Sequence, residues 1–179
     1  RRAGIIALTL EEGDELIDVR LTAGDQELTL VTRQGMAIRF REEEVRPMGR
    51  TAMGVTGITL GAGDEVICMD VVSEGTDLLV VSERGYGKRT PLSQYRAQRR
   101  GGKGVKALRR TQKTGFLAGA AAVRAGEEVM LVSAGGVIIR LSVEGIPVQG
   151  RDTQGVTLMK VDEDDKVVAV ARVAGQDEA

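Results

Sequence analysis

Histidine is absent from this sequence of 179 residues, and cysteine occurs once, as Cys68. Catalytic triads that need an imidazole base are therefore excluded, and so are the usual Cys/His zinc sites. A single cysteine cannot form a disulfide within the chain. Since the remaining side chains do not assemble an activated nucleophile, we expect no catalytic residue and no metal site, and we interpret the chain as non-enzymatic.

Long hydrophobic segments are also missing. No apolar run approaches the roughly 18–20 residues that a membrane-spanning helix needs, and no secretory signal is present. The content of 42% hydrophobic and 28% charged residues is ordinary for a globular protein. We therefore expect a soluble, cytoplasmic protein, and because the chain begins at Arg1 without a methionine, we expect it to be part of a longer one.

Aromatic residues and proline are scarce. The sequence has no tryptophan, two Phe, two Tyr and three Pro, against 24 Gly. Val, Ile, Leu and Ala must fill the core, which favours short β-strands. Glycine enters positive φ without steric cost and is typical of the tight turns between such strands.

Acidic residues are absent from one long segment, residues 84–126, which holds 12 Lys or Arg. The rest of the chain carries the other 13 basic residues and all 26 acids, so a segment of net +12 faces a remainder of net −13. A charge run is often only a solvated face. Here its length and its segregation from the acids predict a surface that binds a polyanion.

A basic, glycine-rich heptad lies inside this segment. Glycines let a backbone approach an anion and point its amides at it, while Arg forks onto phosphate oxygens and Lys adds a point charge. A nucleotide-binding P-loop is the competing interpretation, and the sequence argues against it because the Gly-Lys pair of a P-loop is followed by Ser or Thr, whereas Lys103 is followed by Gly104. The heptad reads Gln98-Arg99-Arg100-Gly101-Gly102-Lys103-Gly104.

The chain repeats itself about every 50 residues. Gly4, Gly54, Gly104 and Gly155 open similar segments, which divides the chain into repeats at approximately 4–53, 54–103, 104–154 and a partial 155–179. Two cations recur in register within the repeats. They are Arg39, Arg89 and Arg140 in one series, and Arg50, Arg100 and Arg151 in the other.

Each repeat reads as four short strands. In the second repeat we predict them at 54–60, 65–72, 77–82 and 86–90. The third is a continuous apolar run, which indicates burial on both faces. The fourth alternates, so that Arg39 and its counterparts should point outward. Strands at this period predict a single all-β, propeller-like array, with three and a half repeats forming an open arc.

Arginines at regular intervals on such an array would meet the backbone of a bent duplex without reading its sequence. We therefore predict DNA binding, with the strongest contacts from the heptad, Lys88, Arg89, Lys106, Arg109 and Arg110. The predicted counterparts on adjacent repeats are Arg39, Arg50, Arg140 and Arg151.

The heptad and the repeats resemble a known bacterial family. The heptad matches the signature box of the C-terminal domain of bacterial DNA gyrase A. The phrases Gly54-Val-Thr-Gly-Ile-Thr-Leu60 and Gly85-Tyr-Gly-Lys-Arg-Thr90 resemble the blades of that domain, and the similarity covers essentially the whole chain. The box normally lies in the first blade, whereas here a full repeat precedes it. The chain therefore most resembles the last three blades.

The resemblance implies a β-pinwheel, a propeller-like disc of usually six blades that exchange strands. It also implies a basic rim that wraps double-stranded DNA and supports negative supercoiling by an ATP-dependent type II topoisomerase in the bacterial cytoplasm. The implied partners are the remainder of gyrase A and the gyrase B protein. ATP and Mg²⁺ are expected only in those other parts, with no cofactor in this domain.

Two alternatives stay open. The matching domain of topoisomerase IV has the same architecture but typically lacks an intact box. From a different class, a propeller-like module can bind an acidic protein through its basic patch. The open blade edges also predict that the chain can associate with itself.

Overall fold

A computed structural model describes residues 4–173, and it is an all-β protein. The last six residues of the fourth predicted repeat and the first three of the chain lie outside this range. Three 3₁₀ helices of three residues each occur, at Glu42–Glu44, Leu92–Gln94 and Val143–Gly145. The strands are β1 (Glu27–Thr32), β2 (Met36–Arg41), β3 (Val66–Val72), β4 (Asp77–Ser82), β5 (Tyr86–Pro91), β6 (Val105–Lys106), β7 (Leu117–Val123), β8 (Glu128–Ser133), β9 (Ile138–Ser142), β10 (Val156–Thr157) and β11 (Val167–Val173).

The strands form three antiparallel sheets, which we call blades 1, 2 and 3. Their strand orders are β3-β1-β2-β6, β10-β5-β4-β7 and β11-β8-β9. Each blade therefore combines strands from different sequence repeats. In blade 1, β1 and β2 come from the first predicted repeat, β3 from the second and β6 from the third. This strand exchange ties each repeat to its neighbours.

The prediction for the second repeat is confirmed for three of its four strands, β3, β4 and β5. The predicted strand at 54–60 is wrong, and residues 4–26 of the first repeat contain no strand either. The pairing pattern explains both differences. A first strand pairs with the fourth strand two repeats earlier, as β6 does with β2 and β10 with β5. For residues 4–10 and 54–60 no such earlier strand lies among the described residues 4–173, so their backbones have no strand of this kind to pair with.

The core lies between the blades, and β4 shows how. Leu78 and Val80 belong to a cluster shared with blade 1, whereas Leu79 and Val81 belong to a cluster shared with blade 3. The alternate side chains of this strand thus face two different neighbours, which confirms the prediction that its apolar run is buried on both sides. In β8 only every second residue is buried, because the described residues place no further blade beyond it.

The radial order of the strands follows from their packing. β3, β7 and β11 lie side by side at the inner end of the three blades. Since β6 and β10 are at the opposite ends of their sheets, they are the outermost strands. Blade 3 ends at β9, which pairs only with β8 among the described strands. Within residues 4–173 no helix is long and apolar enough to cross a membrane.

Candidate nucleic-acid interface

The heptad precedes β6 and lies at the outer edge of blade 1. Its first residue is anchored to β2, because the main-chain N–H of Gln98 donates to the Arg39 carbonyl at 2.8 Å. Its middle is anchored to the segment 54–60, since Gly101 N–H donates to Gly57 O at 2.8 Å and Thr59 N–H donates to Gly102 O at 2.9 Å. The expectation that the heptad glycines aim their amides at an anion is therefore wrong for Gly101, whose N–H is already bonded.

Gly104 has a packing role. Its φ is +73°, and a Cβ at this position would lie 2.3 Å from the carbonyl oxygen of Ala37 in β2. Gly155 repeats this arrangement one blade later, where a Cβ would lie 2.6 Å from Gly87 O. The opening glycine of a repeat is thus required wherever its first strand approaches a fourth strand. Gly54, which is directly followed by no strand, has open space around the same position.

The series Arg50, Arg100 and Arg151 is partly structural. The Arg100 guanidinium donates to the carbonyl oxygens of Glu44 and Thr56, and its main-chain N–H donates to the Glu44 carboxylate at 2.8 Å. Arg151 donates to Lys106 O at 3.3 Å. These two arginines tie their loops to a first-strand segment. Arg50 is exposed in the loop before the unpaired segment 54–60.

The series Arg39, Arg89 and Arg140 is structural in two of its three members. The Arg39 side chain, 21% exposed, pairs with Glu27 and donates to Leu92 O at 2.8 Å. Arg89 likewise pairs with Asp77 at 2.7 Å and donates to a carbonyl of the next blade. The expectation that this series points outward is wrong for Arg39 and Arg89, which join neighbouring blades.

Arg140 differs from these two because blade 3 is the last blade that the structure describes. Its side chain is 59% exposed, and its guanidinium pairs with Glu128 of the adjacent strand β8. No carbonyl of a following blade is in place to accept from it within the described residues. The arginines of this series are therefore buried only where a following blade covers them. Their ion pair with an acid of the neighbouring strand forms with or without that blade.

Lys88, predicted from the sequence as a strong DNA contact, lies in the interior. Its side chain is completely buried, and its ammonium donates to the carbonyl oxygens of Gly150 and Arg151, each at 2.5 Å. Burial lowers the pKa of this amine to about 8. The prediction of a direct phosphate contact is wrong for Lys88, because no part of it reaches the surface.

Five predicted cations do lie at the surface around the outermost strand of blade 1. We call them the outer-strand cluster: Arg99, Lys103, Lys106, Arg109 and Arg110. Arg110 stacks on the ring of Phe116 at 4.6 Å, and Arg33 stacks on the same ring. Among the described residues, one carboxylate lies within ion-pair distance of the cluster, that of Asp152.

Three further exposed cations of the acid-free segment, Arg96, Lys113 and Arg124, are absent from the sequence-based prediction. The Lys113 ammonium lies 5.4 Å from the centre of the Tyr86 ring. Lys113 lacks a recurring counterpart, since Gly63 and Asp164 hold the equivalent positions, whereas Arg96 corresponds to Arg46 one repeat earlier. Two members of the outer-strand cluster also lack a cationic counterpart in the preceding repeat: Lys103 and Lys106 correspond to Met53 and Thr56.

The site can act electrostatically. Five exposed cations around one strand can neutralise phosphates and release their counterions. Most of the recurring arginines are bound to carbonyl or carboxylate oxygens of the protein. The exposed positive charge is therefore concentrated at blade 1 and is not spread at regular intervals along the array. The described residues contain no group of three or more His, Cys, Asp or Glu that could hold a metal ion.

Comparison with known proteins identifies the fold. The family model of the DNA gyrase C-terminal domain, beta-propeller, matches residues 1–23, 26–73, 76–124 and 127–174. Blades 1 and 2 each take three strands from one matched segment and their outermost strand from the next. In solved structures, the chain superposes on a DNA gyrase A C-terminal domain with a TM-score of 0.88 and 30% identity, covering 94% of this chain and 58% of that one. A topoisomerase IV C-terminal domain gives a TM-score of 0.89 and 28% identity, covering 93% of this chain and 52% of that one.

Sequence relatives point the same way. The chain is 52% identical over 177 residues to the DNA gyrase A protein of Clostridium acetobutylicum, covering 99% of this chain and 21% of that protein. It is 54% identical over 178 residues to the DNA gyrase A protein of Halalkalibacterium halodurans, covering 99% and 21%. The chain thus spans about a fifth of the length of these relatives. With its blades, heptad and four matched segments, the chain belongs to the family of the C-terminal β-propeller domain of DNA gyrase A.

Proposed function

We propose that this chain binds duplex DNA without reading its sequence, through the outer-strand cluster. The main support is that five exposed cations surround the outermost strand of blade 1. Among the described residues, a single carboxylate lies within ion-pair distance of them. Phosphate contacts of this kind supply affinity and position, and they carry no base information.

The fold supports the lack of sequence readout. Reading bases requires an element, usually a helix or a two-stranded ribbon, that enters a groove. In residues 4–173 the helices are three-residue 3₁₀ turns, and β6 is only two residues long and is hydrogen-bonded to β2. The side chains around it therefore meet a duplex at its backbone.

Bending follows from the shape of the array. β6 and β10 lie at the outer ends of adjacent blades, and a duplex that follows the outer ends of several successive blades of a propeller-like array has to curve. Bending a site of roughly 20–30 base pairs costs on the order of 1–6 kcal/mol, so several phosphate contacts have to act together. Two cations outside the cluster, Arg96 and Lys113, extend the basic surface along the same segment.

Membership in the gyrase A family suggests the role of this chain within a whole enzyme. We propose that the chain acts as the non-catalytic, DNA-wrapping part of a gyrase, together with the rest of gyrase A and with gyrase B, in the bacterial cytoplasm. The ATP and Mg²⁺ that drive negative supercoiling would be used by those other parts, with no cofactor bound here. The relatives of 52% and 54% identity are DNA gyrase A proteins, which supports this assignment.

The topoisomerase IV alternative is not decided by the fold, because the two solved domains give TM-scores of 0.89 and 0.88. The intact heptad favours gyrase. Its last glycine is required by the approach to Ala37, and its Arg99 and Lys103 side chains are exposed.

The test is a fluorescence anisotropy titration of a duplex of about 25 base pairs between about 50 and 200 mM salt. For the wild type, log K should fall with log salt by about 0.9 per phosphate neutralised. The double substitution Arg99→Ala/Lys103→Ala should flatten this slope by about 2. The matched control, Lys160→Ala/Lys166→Ala, removes two exposed charges of the fourth repeat and should change the slope far less.

A second measurement separates wrapping from simple binding. Addition of the chain to relaxed circular DNA, followed by a topoisomerase and removal of protein, should leave constrained writhe. An affinity for DNA that does not change with salt concentration would contradict DNA binding through phosphate contacts. Salt-dependent binding without constrained writhe would contradict wrapping, and no DNA binding at all would favour the protein-interaction alternative.

A further inference from the structure

Asp152 occupies an unusual place beside the outer-strand cluster. Its Oδ1 lies 3.4 Å from Arg109 Nε, and its Oδ2 lies 4.0 Å from Lys106 Nζ. The main chain reinforces this proximity, because Arg109 N–H donates to Thr153 O at 2.9 Å. Asp152 comes 43 residues after Arg109, well beyond the end of the acid-free segment, so the fold brings this carboxylate to the cluster.

The loop that carries Asp152 is the counterpart of the heptad. Gln149 N–H donates to Arg89 O at 2.9 Å, as Gln98 N–H donates to Arg39 O one blade earlier. In this alignment Asp152 stands where the heptad has Gly101 and where the loop before the second repeat has Thr51. An acid at this position is thus specific to one loop and is not required by the repeat geometry.

The buried side chain of Lys88 is hydrogen-bonded to this loop. Its ammonium donates to the carbonyls of Gly150 and Arg151, the two residues that precede Asp152. The equivalent positions in the other two blades are Ile38 and Ile139, so the lysine also is specific to this blade. The two departures from the repeat, a buried lysine and an acid, therefore lie on the same short segment.

We propose that Asp152 is an internal competitor for the phosphates that Lys106 and Arg109 bind, and that Lys88 is the positioning residue that keeps it there. This inference rests on the proposed DNA binding. A carboxylate and a phosphate accept from the same donors, so a bound duplex must displace Asp152 or tolerate its charge. The Asp152 side chain is 49% exposed, which leaves it free to move away.

The first experiment compares Asp152→Asn with the wild type in the same duplex titration. We expect the substitution to tighten binding about fivefold to tenfold at about 50 mM salt, because it removes two exposed ion pairs, each of modest strength. The gain should shrink at about 200 mM salt, where screening weakens exposed charges. The matched control is Asp14→Asn, which removes an exposed acid of the first repeat.

The second experiment tests Lys88 with Lys88→Ile, the residue found at the equivalent positions. If Lys88 positions the competitor, Asp152→Asn should tighten binding less in the Lys88→Ile background than in the wild type. A Lys88 that serves only folding would leave the effect of Asp152→Asn unchanged. Equal effects of Asp152→Asn in both backgrounds would therefore overturn the positioning role.

The outcomes separate this inference from the proposed function. If the wild type shows salt-dependent DNA binding but Asp152→Asn binds no tighter, or no tighter than Asp14→Asn, the competitor role is overturned while DNA binding stands. If the wild type shows no salt-dependent binding, the proposed function fails and the competitor role fails with it.

Discussion

The ammonium of Lys88 lies 2.5 Å from the carbonyl oxygen of Gly150, in a place that no solvent reaches. A lysine of blade 2 thus supports a loop that lies 62 residues further along the chain. The same relation holds for other cations that the sequence presents as surface charges. Arg39 and Arg89 also donate to main-chain oxygens of a neighbouring repeat, and these contacts hold the blades together.

Stability should depend on pH through Lys88. Burial lowers the pKa of its amine from the usual 10.5 to about 8, so the unfolded chain holds this proton more tightly. The charged lysine therefore costs stability below pH 8, and the cost is relieved as the pH rises from about 8 to 10.5. The free energy of unfolding of the wild type, measured relative to Lys88→Ile, should rise over this interval by about 3 kcal/mol in total. Urea titrations at several values between about pH 7 and 10 provide the measurement, and a constant difference would contradict the shifted pKa.

Arg89 should matter far more for stability than its repeat counterpart Arg140. Replacement of Arg89 by Met leaves the largely buried Asp77 carboxylate and the Ile146 carbonyl without their donor, which should cost about 2–4 kcal/mol. Arg140→Met removes only an exposed pair with Glu128 and should cost less than about 1 kcal/mol. Chemical denaturation of both variants gives the comparison. Equal losses of unfolding free energy in the two variants would show that the contact of Arg89 with the next blade does not stabilise the fold.

Gly104→Ala should be more damaging than Gly54→Ala, although both glycines have positive φ. The new Cβ at Gly104 would lie 2.3 Å from Ala37 O, whereas at Gly54 nothing lies within 4 Å. We expect roughly 1–2 kcal/mol of backbone strain at Gly54 and a larger loss at Gly104, where β6 must also move away from β2. Thermal unfolding measures the losses, and duplex titration should show weaker DNA binding only for Gly104→Ala.

The Cys68 thiol should be unreactive in the folded chain. Burial raises its pKa to about 12, and its Sγ–H donates to Ala120 O at 3.2 Å. The thiolate that alkylating reagents attack is therefore almost absent near neutral pH. Iodoacetamide labelling followed by mass spectrometry should be at least about 100-fold slower in buffer than in denaturant. Comparable rates would contradict the burial of this thiol.

The β9 edge should support association of the chain with itself, as its open blade edges predict. Ile138 is 57% exposed on this strand, which is paired on one side only among the described residues. Exposed, unpaired strands recruit other strands, and a lysine placed on them opposes this. Light scattering should show a mass that rises with concentration for the wild type and less so for Ile138→Lys. The control Leu21→Lys changes a fully exposed residue outside any strand and should have no such effect.

Much of the fold was predictable because strands and turns are local. The apolar run of β4 and the glycines between strands predict their structures directly, and their positions are confirmed. The absence of a strand at 54–60 was not predictable from the residues of this segment, since its Gly54-Val55 pair matches the Gly104-Val105 pair at the start of β6. A strand exists only where a partner backbone accepts its hydrogen bonds, and that partner lies two repeats away.

The candidate site was also predictable only in part from the sequence. The acid-free segment contains the exposed cluster of Arg99, Lys103, Lys106, Arg109 and Arg110. The recurring arginines misled the prediction because recurrence reflects a repeated structural need. Arg39 and Arg89 bind equivalent carbonyls in successive blades, so the feature that made them conspicuous also keeps them from the surface.

By itself the sequence determined the 50-residue period, the all-β class, the segregation of charge and the family, because these are properties of composition and of local pattern. Only the tertiary structure decided which cations remain exposed and which acid stands beside them. The reason is that the fold brings together residues far apart in the sequence: the partner of Arg109 lies 43 residues away, and that of Lys88 lies 62 residues away. A buried partner removes a charge from the surface, as it does for Lys88, whereas an exposed partner such as Asp152 competes with the ligand for the charge.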